Sequence, residues 1–150
     1  PDQKGRFMKT LRQILAGKSG QLVTVSPDDQ VFHALQLMAD ANVGALLVLD
    51  GEQLVGIFSE RDYARKVILF GKASKDTLVR EIMSDKVLYV TPDRTVDECM
   101  AIMTEKHFRH LPVLDDKGKV LGVISIGDVV KETICAQQFI IQQMEKYITG

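Results

Sequence analysis

The sequence predicts an α+β fold in which two tandem β-α-β-β-α repeats pack about a pseudo-twofold axis, with a helix flanking the pair at each end. Three observations predict it. The chain repeats its motifs about 65 residues apart: Val25-Ser26-Pro27-Asp28 returns as Val90-Thr91-Pro92-Asp93, Leu46-Leu47-Val48-Leu49-Asp50 as Leu111-Pro112-Val113-Leu114-Asp115, and Gly56-Ile57-Phe58-Ser59 as Gly122-Val123-Ile124-Ser125. Within each copy, apolar runs of strand length alternate with segments of helical periodicity. Each copy is too small to bury its own apolar faces, so the two are expected to share one core.

Phe7, Leu11, Ile14 and Leu15 mark a short amphipathic helix ahead of the first strand. A strand follows over 22–25 and turns at Ser26-Pro27-Asp28. Val31, Ala34, Leu35, Met38 and Ala41 then form one face of a helix. The near-continuous apolar run 44–49 reads as a strand, Asp50-Gly51-Glu52-Gln53 turns the chain, and 54–58 pairs back as a hairpin. A second helix begins near Ser59 and carries Tyr63, Ala64, Val67 and Ile68; residues 71–77 are a polar linker. The second copy has a helix from Thr95, with Thr95 and Glu98 as a capping box, then strands over 111–114 and 120–124 around the turn Asp115-Asp116-Lys117-Gly118. Val130, Ile134, Ile141, Met144 and Ile148 mark a C-terminal amphipathic helix, which serves either as a lid on the core or as a dimer contact.

At 150 residues, 45% hydrophobic and 26% charged with a net charge of −1, the composition is that of an ordinary soluble domain. The charge balance argues against nucleic acid as the main ligand, because that mode requires a strongly basic surface. Cys99 and Cys135 do not make a disulfide framework, and Cys99 falls on a helix as a small core residue. No apolar run reaches the roughly 18 residues of a membrane span and no charged-then-apolar leader opens the chain, so a cytoplasmic location is expected. His33 and His107 lie on helices without further ligands at metal-binding spacing.

The pattern with chemical content is Gly-x-x-Ser-x-x-Asp, at Gly56/Ser59/Asp62 and again at Gly122/Ser125/Asp128. Read locally, Ser-x-x-Asp at a strand-to-helix boundary is a capping box that needs no ligand. Read functionally, the helix start seats a phosphate, the carboxylate accepts from both hydroxyls of a ribose, and the glycine lets backbone approach a sugar or ring. Ser59 and Ser125 have no positioned histidine to act as base, His110 being a lone candidate, so a non-catalytic protein is expected.

In the order and duplication of these motifs, residues 8–130 resemble a tandem pair of cystathionine-β-synthase-type (CBS) domains, the Bateman module. The resemblance implies a first repeat over 8–71, a second over 78–132 and a terminal helix over 133–148. It further implies a regulatory module that binds AMP, ADP, ATP, NAD-type dinucleotides or S-adenosylmethionine in two clefts between the repeats, forms a homodimer and signals by conformational change. With no enzyme or transporter accompanying the repeats, the chain resembles freestanding bacterial CBS-pair proteins, whose output goes through a separate effector protein. Carried over by position, one cleft combines Ile57, Ser59, Arg61 and Asp62 with Met83, Leu88, Phe108, Arg109 and His110. The other combines Val123, Ser125, Gly127 and Asp128 with Lys18, Val23, Val43, Gly44 and Ala45. Because Phe108-Arg109-His110 stands where the first copy has Val43-Gly44-Ala45, the Asp62 cleft is expected to prefer a phosphate-rich ligand and the Asp128 cleft a nucleoside-like one. The alternative is a ligand-free dimerisation scaffold.

Overall fold

The computed structural model describes residues 9–18 and 22–149. In chain order the elements are α1 (Leu11–Gly17), β1 (Thr24–Val25), α2 (Val31–Ala41), β2 (Ala45–Asp50), β3 (Gln53–Ser59), α3 (Glu60–Asp62) widening into a π-helical stretch (Tyr63–Ile68), α4 (Val79–Ile82), α5 (Val96–Lys106), β4 (His110–Leu114), β5 (Val120–Ser125) and α6 (Ile126–Thr149). They form two compact units. Of the described residues, one holds 22–88 with 118–120, and the other joins 9–18 to 89–117 and 121–149.

In the first unit β2 pairs antiparallel with β3 through the turn at Gly51, whose φ of 63° suits glycine, and parallel with β1. Val31, Ala34 and Met38, one face of α2, bury against Leu46, Val48 and Phe58, while Ala41 of the expected stripe is exposed. In the second unit β4 and β5 form a two-stranded sheet. The opening strand expected of this repeat is reduced to one parallel bridge, Val90 to Val113. Thr95 caps α5 with Glu98 as its box partner, and Val96, Cys99 and Met103 face Leu111, Val113 and Ile124. The single shared core expected from the sequence is thus two clusters, one in each unit.

What completes each core is a short helix from outside its own repeat. α1 stands at the start of the first repeat but docks on the second: the N–H groups of Leu11 and Arg12 donate to the carbonyls of Arg94 (2.9 Å) and Pro92 (3.0 Å), and Val96 N–H donates to Lys9 O (3.0 Å). α4, which the sequence pattern does not announce, does the same to the first repeat. Val79 and Arg80 donate to Asp29 O (2.8 Å) and Pro27 O (2.9 Å), and Val31 N–H donates to Thr77 O (2.8 Å). The ion pairs Arg12–Asp93 and Arg80–Asp28 repeat the correspondence. The duplicated Pro-Asp motif therefore supplies carbonyls to the orphan first-turn amides of an incoming helix. Leu11 and Ile14 then enter the second core, and Val79 and Ile82 the first.

This docking also explains Gly56 and Gly122. A Cβ on Gly56 would stand 2.6 Å from Met83 Sδ and 3.0 Å from the Ser84 carbonyl oxygen, and one on Gly122 would stand 2.6 Å from Leu15 Cδ2. The space that the motif was expected to leave for a sugar or ring is filled by the docked helix and the residue after it.

Other departures have local causes. After Ser59 the helix loosens to π geometry, with Leu69 N–H reaching Ala64 O, so Val67 is buried while Ile68 points to solvent. The 71–77 linker is anchored by Thr77, which is buried and donates to Ala73 O (2.8 Å). The terminal helix is continuous with that of the second repeat, since nothing between Ile126 and Thr149 breaks it. Val130, Ile134, Ile141 and Met144 are exposed along it, and the side chain of Ile148, like Phe7, lies outside the described residues. Among the described residues no helix is long and apolar enough to cross a membrane.

Two outcomes follow from this packing. Gly56→Ala is expected to cost about 1–3 kcal/mol, because a backbone carbonyl must move as well as a side chain, whereas Gly122→Ala costs less because only the flexible end of Leu15 must give. Urea unfolding of both variants checks the order. Burial, with a further contribution from the Asp128 charge, raises the Cys99 thiol to about 11, while Cys135 is exposed. A thiol reagent at neutral pH is expected to modify Cys135 in the native protein and Cys99 only after unfolding.

Candidate functional site

Both Ser-x-x-Asp motifs are closed capping boxes. Ser59 N–H donates to Asp62 Oδ2 (3.0 Å) and Asp62 N–H to Ser59 Oγ (3.2 Å); Ser125 N–H donates to Asp128 Oδ2 (2.8 Å) and Asp128 N–H to Ser125 Oγ (3.1 Å). One more first-turn amide is taken in each copy, Glu60 N–H by Gly44 O (3.1 Å) and Ile126 N–H by Arg109 O (2.8 Å). The local reading of the motif is therefore satisfied in full, and most of the amides that a helix start would offer an anion are already engaged.

The carboxylates are not used up. Asp62 and Asp128 are half-buried, and each meets a lysine. Lys66, one turn on, lies 3.4 Å from Asp62 Oδ1 and donates to Ile82 O (3.1 Å). At the other copy Lys18, the extended residue that ends α1, donates to Asp128 Oδ2 (2.9 Å) and to Val123 O (2.9 Å). Burial acts to raise the Asp128 carboxyl, but the Ser125 N–H bond and the Lys18 bond and charge together outweigh it and hold the carboxyl below its usual range. Asp128 is thus an anion held in place, with Oδ2 occupied by Ser125 and Lys18.

Beside it lies a cavity of about 360 Å³, within the size range of small-molecule sites and contained wholly in the second unit. Its lining includes Lys18 and Asp128, which the sequence singled out, and Lys9, Lys131 and Glu132, which it did not. Lys131 and Glu132 were legible, being three and four residues beyond Asp128 on one helix face. Lys9 was not, because its nearness depends on the docking of α1.

The other positions divide by unit. Ile57, Ser59, Arg61, Asp62, Met83 and Leu88 share the first unit with Val23, Val43, Gly44 and Ala45, and Ala45 pairs directly with Ser59. Phe108, Arg109 and His110 share the second with Val123, Ser125, Gly127, Asp128 and Lys18. Phe108 packs against the second core, Met83 against the first, and Arg61, Arg109 and Leu88 are exposed. Among the described residues no group of three His, Cys, Asp or Glu side chains is placed to hold a metal ion.

The family model for the CBS domain matches residues 14–68 and 79–134. The chain belongs to the CBS-domain family. A mitochondrial CBS-domain protein of Arabidopsis thaliana, CBSX3, is 43% identical over 99% of this chain and 76% of its own length. The structure of a CBS-domain protein from Burkholderia ambifaria MC40-6 is 53% identical and superposes with a TM-score of 0.81, covering 85% of this chain and 95% of that one. The CBS domain pair of protein MJ0100, solved with 5′-methylthioadenosine and S-adenosyl-L-methionine, shares the fold at 24% identity and a TM-score of 0.72, over 83% of this chain and 94% of that one.

In this CBS pair the lowered Asp128 carboxyl ties stability to pH. Its folded pKa lies below its unfolded value, so its contribution is complete above the ordinary carboxylate range, near pH 4, and is lost as pH falls through the lower folded value. Asp128→Asn is expected to flatten the acid limb of the stability curve relative to wild type. Parallel curves in denaturant titrations from neutral pH down would contradict this.

Proposed function

We propose that this protein is a non-catalytic regulatory module whose Asp62 and Asp128 carboxylates accept the ribose hydroxyls of adenosine-type ligands, and that ligand binding changes how the chain engages an effector protein. One observation carries the reading: an ionised, partly exposed Asp128, locked by its box, borders a cavity large enough for a nucleotide. AMP, ADP, ATP, NAD-type dinucleotides and S-adenosylmethionine are the ligands to test. The likeness to the MJ0100 pair is one of fold, and its bound molecules, both adenosine derivatives, widen that list without deciding it. Ile57, Ser59, Arg61, Met83 and Leu88 are proposed to complete the Asp62 site within its unit, and Lys18, Val123, Ser125 and Gly127 the Asp128 site within the other. The exposed apolar residues of α6 suit a homodimer, and the cytoplasm is the proposed location.

The second reading, a ligand-free dimerisation scaffold, draws on the completeness of the two capping boxes, which account for Ser59, Asp62, Ser125 and Asp128 without a ligand. Thermal unfolding separates the two. A ligand at a hundredfold excess over Kd adds roughly 2.7 kcal/mol, a rise in Tm of about 5–10 °C for a domain of this size. At least one of AMP, ADP, ATP, NAD, NADH and S-adenosylmethionine is expected to give such a rise, reduced in Asp62→Ala or Asp128→Ala. No rise with any of the six returns the scaffold.

A further inference from the structure

Three lysines reach the Asp128 cavity from separate places: Lys9 ahead of α1, Lys18 behind it, and Lys131 one turn beyond Asp128 on α6. They face two carboxylates, so the lining carries one surplus positive charge. Lys18 pairs with Asp128 at 2.9 Å and Lys9 with Glu132 at 3.3 Å, while Lys131 has no charged partner among the described residues. The Lys9 side chain is 56% exposed and that of Lys18 39%, so both ammonium groups keep access to solvent while their carboxylate partners, Glu132 and Asp128, are largely buried. The amides of Ser125, Ile126 and Asp128 already have acceptors inside the protein. An anion in this cavity must therefore be held chiefly by ammonium groups rather than by the start of α6. Meanwhile Asp128 Oδ1 lacks the partners that Oδ2 has and suits hydroxyl donors.

A ligand that satisfies both ends has vicinal hydroxyls at one and a multiply charged anion at the other. We propose that Lys9, Lys18 and Lys131 form a polyphosphate seat beside Asp128, so that this site selects nucleoside di- and triphosphates over nucleosides. The proposal rests on the reading of Asp128 as the ribose acceptor. It assigns phosphate recognition to the site that the Arg109–His110 comparison had marked as nucleoside-like.

The test is calorimetric titration of the full chain in an Asp62→Ala background, which leaves the Asp128 site alone, with adenosine, AMP, ADP, ATP and inorganic tripolyphosphate. Affinity is expected to rise from adenosine to ATP. Lys131→Gln is expected to weaken ATP and tripolyphosphate about tenfold, the loss of one charge-assisted hydrogen bond, and to leave adenosine unchanged, while Lys131→Arg restores binding. Lys131 is exposed, so neither variant disturbs a core. Adenine nucleotides that bind equally well to Lys131→Gln would overturn the seat and leave the ribose reading standing. Tripolyphosphate binding that is lost in Lys131→Gln, with no adenine ligand bound, would uphold the seat and overturn the ribose reading. Failure of every ligand to bind would overturn both.

Discussion

The capture of a helix start by the Pro-Asp motif is the interaction on which the rest of this protein depends. A four- or seven-residue helix has no stability of its own in water, because nucleation costs more than so few hydrogen bonds return. α1 and α4 persist because their first amides find fixed carbonyls, at Pro92 and Arg94 or at Pro27 and Asp29, and because their apolar residues drop into a core that lacks them. Each repeat presents the acceptor, and the helix comes from the start of the other repeat. The duplication of the sequence is thereby expressed as an exchange, with the same hydrogen bonds, the same Arg–Asp pair and the same glycine under the docked helix in both copies.

The exchange has a chemical consequence at one copy that it lacks at the other. α1 ends at Lys18, whose extended backbone carries the ammonium group to Asp128. Asp62 meets instead a lysine of its own helix, Lys66. Two motifs alike in sequence and in capping geometry thus differ in what holds the carboxylate: a distant segment in one case, the next helical turn in the other. A ligand that disturbs the Lys18–Asp128 bond acts on the join between α1 and α6, whereas one that disturbs Lys66–Asp62 acts on a helical turn whose lysine also reaches Ile82 O of α4. For the proposed sensing function, this is the physical difference between the two copies that charge alone did not reveal.

Much of the candidate site is legible in the sequence. Ser59 with Asp62 and Ser125 with Asp128 are local pairs, and a capping box is fixed by residues three apart, so their geometry follows from spacing. The role of Gly56 and Gly122 does not follow, because what a glycine makes room for depends on what arrives, and here it is Met83 and Leu15. The cavity lysines divide in the same way. Lys131 belongs to the helical face of Asp128, while Lys9 is beside Glu132 only through the docking of α1.

By itself, then, the sequence determined the family, the duplicated order of elements, the apolar face of α2, the capped start of α5 and the two Ser-Asp boxes, all of which rest on periodicity or on contacts a few residues long. Tertiary structure decided the rest. It divided one expected core into two, assigned α1 to the second repeat and α4 to the first, reduced the second repeat's opening strand to a single bridge at Val90, and ran α6 unbroken from Ile126 to Thr149. These outcomes turn on which buried surface a segment meets across long stretches of chain. Such a choice is made by packing and by the satisfaction of backbone hydrogen bonds, and no window of sequence contains both partners.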